Sequence, residues 1–301
     1  MAGICEGRVV IVTGAGRGLG RSYALGFARE GAKVVVNDLG TDLGGQGRDT
    51  ATAQNVVDEI RALGGEAVAN GKDVSDWDGA SRIISCAVDT FGTLDVIVNN
   101  AGFVRDRMFV SATVDEWDAV IRVHLRGHFC VARHAVDFWR NRSKQGLSVD
   151  ARIINTSSGA GLNGSIAQSA YSTAKGGIAS LTLVQAAELG RYGITANGLA
   201  PAARTRMTEQ AFAETMKRPD SGFDLQDPDN VAPTVVWLGS SESKDVTGCM
   251  FELQGGRIMI ADGWNDGPSI DKGARWEPGE VGAAVAKLLA ERRPHKKVYG
   301  T

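Results

Sequence analysis

The sequence predicts an α/β fold, an open, doubly wound parallel sheet of about seven strands with helices on both faces. Three observations predict it. Short apolar runs recur at residues 8–13, 33–38, 66–70, 94–98, 152–155, 194–199 and 250–253. Stretches of helical length separate them, so strand and helix alternate along the chain. Runs such as Arg8-Val-Val-Ile-Val-Thr13 and Lys33-Val-Val-Val-Asn-Asp38 are nearly continuous in apolar residues, as strands buried on both faces require. At 301 residues the length allows one or two domains. A single sheet accounts for the alternation better, with residues 1–256 as one unit. Residues 257–301 form a C-terminal extension packed on it or on a neighbouring subunit.

The first strand, residues 8–13, runs into Gly14-Ala-Gly-Arg-Gly18-Leu-Gly20. A helix carrying Tyr23, Leu25, Phe27 and Ala28 follows and closes at Gly31; the second strand then ends at Asp38. A β-α-β unit with glycines at its first turn is the Rossmann-like arrangement for binding a dinucleotide. Gly-x-Gly-x-x-Gly fails here, because the third position is Leu19. The pattern that fits is Thr-Gly-x-x-x-Gly-x-Gly, with Gly14, Gly18 and Gly20. Backbone there can approach a pyrophosphate, and the helix N-terminus supplies N–H donors and positive potential. Gly14, Arg17, Gly18, Leu19 and Gly20 are therefore candidate cofactor contacts. Asp38 stands where a carboxylate accepts both ribose hydroxyls of NAD and repels a 2′-phosphate. Arg17 could instead greet that phosphate; the carboxylate favours NAD.

A Gly-rich connection, residues 40–47, precedes a helix over 49–63 and a strand over 66–70. Asp73 and Val74 lead into a helix from 75 to 91. The strand at 94–98 ends in Asn99-Asn100-Ala101-Gly102, where an open parallel sheet binds ligands. A capping box, Thr113-x-x-Glu116, opens a long helix to about residue 139. After the strand at 152–155 come a Gly-rich turn and a helix over 168–190. The sixth strand reaches Pro201. A mobile segment over 202–224 carries Thr205, Met207 and Met216. A short helix over 228–238 follows Asp227, and the seventh strand is closed by Gly255-Gly256. Residues 263–276 are polar and irregular. A last helix over 280–292 places Val281, Val285, Leu288 and Leu289 on one face.

The chemistry converges on Thr156 to Lys175. Tyr171 and Lys175 are four apart and share a helix face. Ser158 lies at the end of the preceding strand. A free Tyr has a pKa of about 10. An adjacent ammonium favours the phenolate, which brings Tyr171 towards the working range of a general base. Ser158 would hydrogen-bond the substrate oxygen. The group suits proton transfer to or from an alcohol. By itself, Tyr-x-x-x-Lys also describes a surface pair on an amphipathic helix.

Composition removes several function classes. The net charge of −2 gives no overall footprint for nucleic acid. No run of 18 apolar residues appears, so no membrane span is expected. Residues 1–7 lack a signal-peptide layout, and the C-terminal Tyr-Gly-Thr is not a peroxisomal address. Cys5, Cys86, Cys130 and Cys249 are scattered, which fits reduced thiols and a cytoplasmic location. His124 and His128 are four apart, as in helical zinc pairs, and His134 follows, but there is no His-Glu-x-x-His pattern and no thiolate cluster, so no metal is expected.

These motifs, in this order and at these spacings over residues 8–256, resemble the short-chain dehydrogenase/reductase family. The resemblance implies roles. Tyr171 is the acid/base, Lys175 holds the nicotinamide ribose, and Ser158 orients the substrate. Asp73 and Val74 contact adenine. Asn100, Ala101, Gly102 and Pro201 line the cofactor site, and Thr205 meets the nicotinamide amide. The family's usual catalytic Asn on the long helix is replaced by His124, which can still order a relay water. The segments Arg105-Asp-Arg-Met-Phe109, Arg122-Val-His-Leu-Arg-Gly127 and Ala203-Arg-Thr-Arg-Met-Thr208 are similar to the dehydrogenase unit of type 2 multifunctional enzymes, the 17β-hydroxysteroid dehydrogenase type 4 group.

That group implies NAD-dependent oxidation of a (3R)-hydroxyacyl-CoA or a 17β-hydroxysteroid, and a homodimer or homotetramer. Arg105, Arg107 and Arg204 could meet the CoA phosphates or lie solvated on the surface. The rival readings are an NADPH-dependent 3-oxoacyl-carrier-protein reductase and a dinucleotide-sensing protein without catalysis.

Overall fold

The computed structural model describes residues 3–42, 44–211, 213–294 and 296–300. Met1, Ala2 and Thr301, part of the terminal readings above, lie outside the described residues. So do Leu43 and Phe212, which fall within the two expected loops, and His295.

The strands are β1 (Val9–Thr13), β2 (Lys33–Asn37), β3 (Ala67–Asn70), β4 (Val96–Asn99), β5 (Ala151–Thr156), β6 (Ile194–Ala202), β7 (Met250–Gln254) and β8 (Arg257–Ile260). The helices are α1 (Gly18–Arg29), α2 (Ala51–Ala62), α3 (Trp77–Phe91), α4 (Val114–Ile121), α5 (Gly127–Lys144), α6 (Gly159–Asn163), α7 (Ser169–Leu189), α8 (Arg206–Ala211), α9 (Ala232–Gly239) and α10 (Pro278–Glu291). The sheet order is β3-β2-β1-β4-β5-β6-β7-β8. Its first seven strands are parallel, so their carboxyl ends share one edge. The order reverses between β1 and β4, and that switch point opens a crevice for a ligand.

Each strand divides its side chains between two cores. Val10, Val12, Val34 and Val36 pack with Tyr23 and Phe27 of α1, Val56 and Ile60 of α2, and Val235 of α9. Val9, Ile11 and Val35 pack with Ile83 of α3 and Val131, Ala135 and Trp139 of α5. Helix ends follow local chemistry. The Asp76 side chain accepts from Gly79 N at the start of α3, and the expected capping box of Thr113 and Glu116 opens α4.

Three features add to the sequence reading. The eighth strand, β8, pairs antiparallel with β7 across Gly255-Gly256 and lengthens the sheet of about seven. The long helix is not uniform: residues Arg122–Arg126 form a π-helical segment between α4 and α5. Such segments concentrate at functional sites, and this one carries His124. The expected mobile segment contains α8 and is tied down by Arg204. That side chain is nearly buried, binds Asp224 through both terminal nitrogens at 2.7 and 2.8 Å, and donates to the Met216 carbonyl.

Among the described residues no helix is long and apolar enough to cross a membrane.

Trp139 joins α5 to the sheet, donating from Nε1 to the Leu94 carbonyl at 2.7 Å in a fully buried setting. Trp139→Phe keeps a ring there but leaves that carbonyl unpaired. Urea unfolding should show a loss of about 2 kcal/mol. A loss under about 0.5 kcal/mol would mean that the carbonyl finds another partner.

Candidate active site

The carboxyl ends of β1 and β4 are stitched together by Thr13. Its hydroxyl accepts from Asn100 N at 2.9 Å and Ala101 N at 3.1 Å. The Asn100 amide donates to the carbonyls of Thr13 and Gly14, at 3.0 and 3.2 Å. The glycine turn folds tightly on this seam. A Cβ on Gly20 would lie 2.1 Å from the Gly14 carbonyl oxygen, and one on Gly14 would lie 2.7 Å from Ala101 Cα. Helix α1 begins here with no side-chain cap and no acidic residue in its first turn. Its N–H groups and positive end are thus open to a negatively charged group.

A cleft of about 330 Å³ runs over this seam. Gly14, Arg17, Gly18, Leu19, Gly20, Asp38, Asp73, Val74, Asn100, Ala101, Gly102 and Thr205 all line it. Asp38 sits just past β2 and accepts from Gly16 N at 2.8 Å and Gly40 N at 2.7 Å. Those bonds fix its carboxylate at the cleft wall. Arg17 reaches elsewhere, to the Thr41 carbonyl and the Thr52 hydroxyl at 3.2 and 3.0 Å. Asp73 is anchored by Ser75, which donates from its backbone N and its hydroxyl at 2.8 and 2.7 Å. An uncapped helix end, a close-folded glycine turn and a fixed carboxylate together fit a dinucleotide.

The cleft joins a second cavity of about 340 Å³, with Leu19, Asn100, Gly102 and Thr205 shared between them. Ser158, Tyr171, Lys175, His124 and Pro201 line this second space. Strand β5 delivers Ser158, which caps α6 by accepting from Ala160 N at 3.2 Å. Ser158 also faces Tyr171 and favours its phenolate. Helix α7 presents Tyr171 and, one turn on, Lys175. The buried Lys175 Nζ donates to the Thr156 carbonyl at 2.6 Å and stands 5.6 Å from the centre of the Tyr171 ring. His124 meets that ring edge-on at 5.3 Å. The four catalytic candidates therefore face one cavity.

The expected pull of Lys175 on Tyr171 is corrected by burial. Removal from water pushes the Tyr171 hydroxyl up, against the lowering effect of the Ser158 hydrogen bond. Burial also brings the Lys175 ammonium down to about 7. Desolvation penalises both charged forms and is the first cause of each shift in the protein alone. His124 is buried as well, and burial, reinforced by the charge of Lys175, holds its imidazole neutral. Its Nε2 lies 2.6 Å from the Phe103 carbonyl oxygen and 3.0 Å from the Phe103 backbone N, so the tautomer sets whether it donates to the one or accepts from the other.

Several residues the sequence left open now have partners. Arg204 is the loop clamp described above. Arg107 pairs with Glu116 at 2.7 Å, and Arg105 donates to the Gly44 carbonyl at 3.1 Å. His134 turns to Trp77, bonding its carbonyl at 3.0 Å and packing on its ring at 4.1 Å. Among the described residues no three His, Cys, Asp or Glu side chains are grouped to hold a metal.

Other site residues carried no sequence signal. Tyr299 lines the second cavity, and its backbone pairs with Ile166 N at 2.9 Å and the Gly164 carbonyl at 3.1 Å. Asp106, bonded to Gln168 at 2.9 Å, lines it too.

Comparison with known proteins agrees with this geometry. The short chain dehydrogenase family profile matches residues 8–216. The chain is 41% identical to the hydroxyacyl-CoA dehydrogenase ChsB1 of Mycobacterium tuberculosis, over 98% of this chain and 93% of that protein. It is 45% identical to the peroxisomal multifunctional enzyme type 2 of Mus musculus, over 84% of this chain but 32% of that longer protein. The crystal structure of a short chain dehydrogenase from Mycobacterium avium superposes with a TM-score of 0.89 at 59% identity, covering 99% of this chain and 100% of that one. With Ser158, Tyr171 and Lys175 gathered beside a dinucleotide cleft, the chain belongs to the short-chain dehydrogenase family, oxidoreductases that act on CH–OH groups with a nicotinamide dinucleotide.

Proposed function

We propose that the protein oxidises the secondary alcohol of a (3R)-hydroxyacyl-CoA to the 3-oxoacyl-CoA with NAD. The observation that carries this is the convergence of Ser158, Tyr171 and Lys175 on the second cavity, which adjoins the dinucleotide cleft. The acyl-CoA part draws on the likeness to ChsB1 and the multifunctional enzyme. The choice of NAD draws on Asp38, whose fixed carboxylate faces the ribose position and opposes a phosphate there. A 17β-hydroxysteroid and an acyl-carrier-protein substrate are the alternatives.

In this reading the alcohol oxygen sits between Ser158 Oγ and Tyr171 Oη. Ser158 fixes that oxygen. Tyr171, as phenolate, takes the hydroxyl proton as the O–H bond breaks and the carbonyl forms. The bound dinucleotide supplies the acceptor for the hydride that leaves the carbinol carbon. Lys175 stabilises the phenolate and holds the ribose. His124, neutral and fixed on Phe103, braces the loop after β4 and the edge of the Tyr171 ring.

Residues 1–256 are read as the catalytic unit and residues 257–301 as an extension on it. Strand β8 and the Tyr299 contacts support that division. Phe129 of α5 and Leu183 and Val184 of α7 are apolar and about half exposed, which suits a homodimer or homotetramer through these helices. The cysteines are free thiols, in keeping with a cytoplasmic location.

Initial rates with a short (3R)-hydroxyacyl-CoA and with a 17β-hydroxysteroid, each with NAD and NADP, test the reading directly. The thioester with NAD should give the highest kcat/KM, and Asp38→Asn should narrow the NAD preference by about tenfold. A clear NADP preference in the wild type would overturn the assignment of Asp38.

Tyr171→Phe should lower kcat by about a thousandfold while NAD affinity stays within about threefold. Equal turnover would remove Tyr171 from the chemistry.

Lys175 also makes a stability prediction. Its folded pKa of about 7 lies below that of the unfolded chain, so between these values the unfolded chain binds more protons. Stability therefore rises with pH across that window. Lys175→Met should abolish turnover yet raise unfolding stability by about 2 kcal/mol at pH 7, an advantage that fades towards pH 10. Denaturant titrations across that range would show it, and a parallel shift at every pH would contradict it.

A further inference from the structure

Tyr299 lines the second cavity yet has no part in the reaction as derived so far. It belongs to a strap, residues 296–300, that is anchored at both ends on segments lining that cavity. Beside Ser165, Ile166 N donates to the Tyr299 carbonyl at 2.9 Å, and Tyr299 N donates to the Gly164 carbonyl at 3.1 Å. At the other end the Lys296 ammonium donates to the Glu252 carboxylate at 2.9 Å. Ser165, between α6 and α7, and Glu252 of β7 both line the cavity. The strap thus runs along one side of it, from β7 to the segment before α7.

A second observation places the ring. A Cβ on Gly159 would lie 2.5 Å from the Tyr299 hydroxyl oxygen and 3.0 Å from ring atoms Cε2 and Cζ. The bare backbone at 159 is what admits the ring. Gly159 directly follows Ser158, so the ring stands beside the position where the alcohol is oriented. The other large apolar side chains of the wall differ in kind. Met207, Met216 and Met259 line the cavity too, and unbranched thioether chains repack around ligands of different shape. Tyr299 is a rigid ring, held through its bonded backbone and packed on Gly159. It is 48% exposed, so a ligand in the cavity can cover it and remove apolar surface from water.

We propose that Tyr299 is a specificity-determining residue: its ring is the fixed wall that limits the bulk a substrate can carry next to its carbinol carbon. The proposal rests on the reading of the second cavity as the alcohol site and deepens it. A straight chain passes along the wall while the methionines adapt to its course. A ring or branch on the neighbouring carbon meets Tyr299, which gives way only if the strap bonds break. The selection is by shape, so the Tyr299 hydroxyl is not needed for it.

The test compares Tyr299→Ala, which removes the ring, with Tyr299→Phe, which keeps it. The readout is the ratio of kcat/KM for two (3R)-hydroxyacyl-CoA substrates with NAD. One has a straight chain; the other carries a cyclohexyl ring on the carbinol's neighbouring carbon. Tyr299→Ala should raise the ratio of bulky to straight about tenfold. Tyr299→Phe should keep it within about twofold of wild type. A merely structural role would lower both substrates together and leave the ratio alone. An unchanged ratio in Tyr299→Ala overturns the proposal, as does an equal shift in Tyr299→Phe.

If Tyr299→Ala does not fold, Tyr299→Leu is read by the same criteria. Two plain secondary alcohols, one straight and one bearing a cyclohexyl ring, separate this proposal from the functional reading. Turnover of the alcohols without the thioesters would sink the acyl-CoA assignment, and the ratio for the alcohols would then judge Tyr299. Binding gives the same comparison without chemistry. In Tyr171→Phe with NAD bound, the rise in unfolding midpoint on adding each compound reports its affinity. Tyr299→Ala in that background should favour the bulky compound over the straight one by about tenfold more than before. No change there overturns the proposal.

Discussion

The bond from Lys175 Nζ to the Thr156 carbonyl ties helix α7 to the central strand β5, and the active site is arranged around it. It sets the face of α7 that turns inward, so Tyr171, one turn earlier, points into the cavity. A further bond holds the same register: the Ser157 hydroxyl donates to the Lys175 carbonyl at 2.7 Å. Ser158 follows immediately and faces the same cavity as Tyr171. Three side chains from two elements are thus oriented by backbone contacts that involve no substrate. The parallel sheet makes this possible, because β1, β4, β5 and β6 all end at the same edge.

The site is purchased against stability. A buried lysine and a buried tyrosine each favour their neutral forms, and the chemistry needs both charged. Helix capping and core packing elsewhere offset that penalty. The seam at Thr13 and Asn100 serves the same end on the cofactor side, closing backbone groups at the switch point where the sheet would otherwise leave them open. Rigidity is placed beneath the two cavities. The segment held by Arg204 and the strap carrying Tyr299 lie around the second one.

The fold was legible because burial on two faces writes itself into sequence as runs such as Val9–Thr13, with glycines at the first turn. Tyr171 and Lys175 were legible because a helix brings residues four apart together. What stayed hidden depends on contacts between distant segments. Arg204 looked like a surface cation until Asp224 was seen to bind it. Nothing around Tyr299 foretold its return to the cavity. Strand β8 had a usable signal, since Gly255-Gly256 between the largely apolar runs 250–253 and 258–260 is a hairpin turn. The π segment had none that the periodicity of residues 113–139 could reveal. The Tyr171–Lys175 attraction was legible, but the desolvation that opposes it is a property of the folded environment.

The same reasoning bears on why a histidine works where the family usually has asparagine. The position calls for a neutral group that bridges backbone and is held firmly against the loop after β4. His124 meets it: its ring packs so closely on Gly102 that a Cβ there would lie 2.1 Å from the imidazole. Burial removes the ionisation that would otherwise distinguish histidine from asparagine. A neutral imidazole against that loop then stands near the Lys175 ammonium without competing with it. That arrangement reconciles the departure in sequence with an intact site, since what the chemistry requires at this point is hydrogen-bonding capacity without charge.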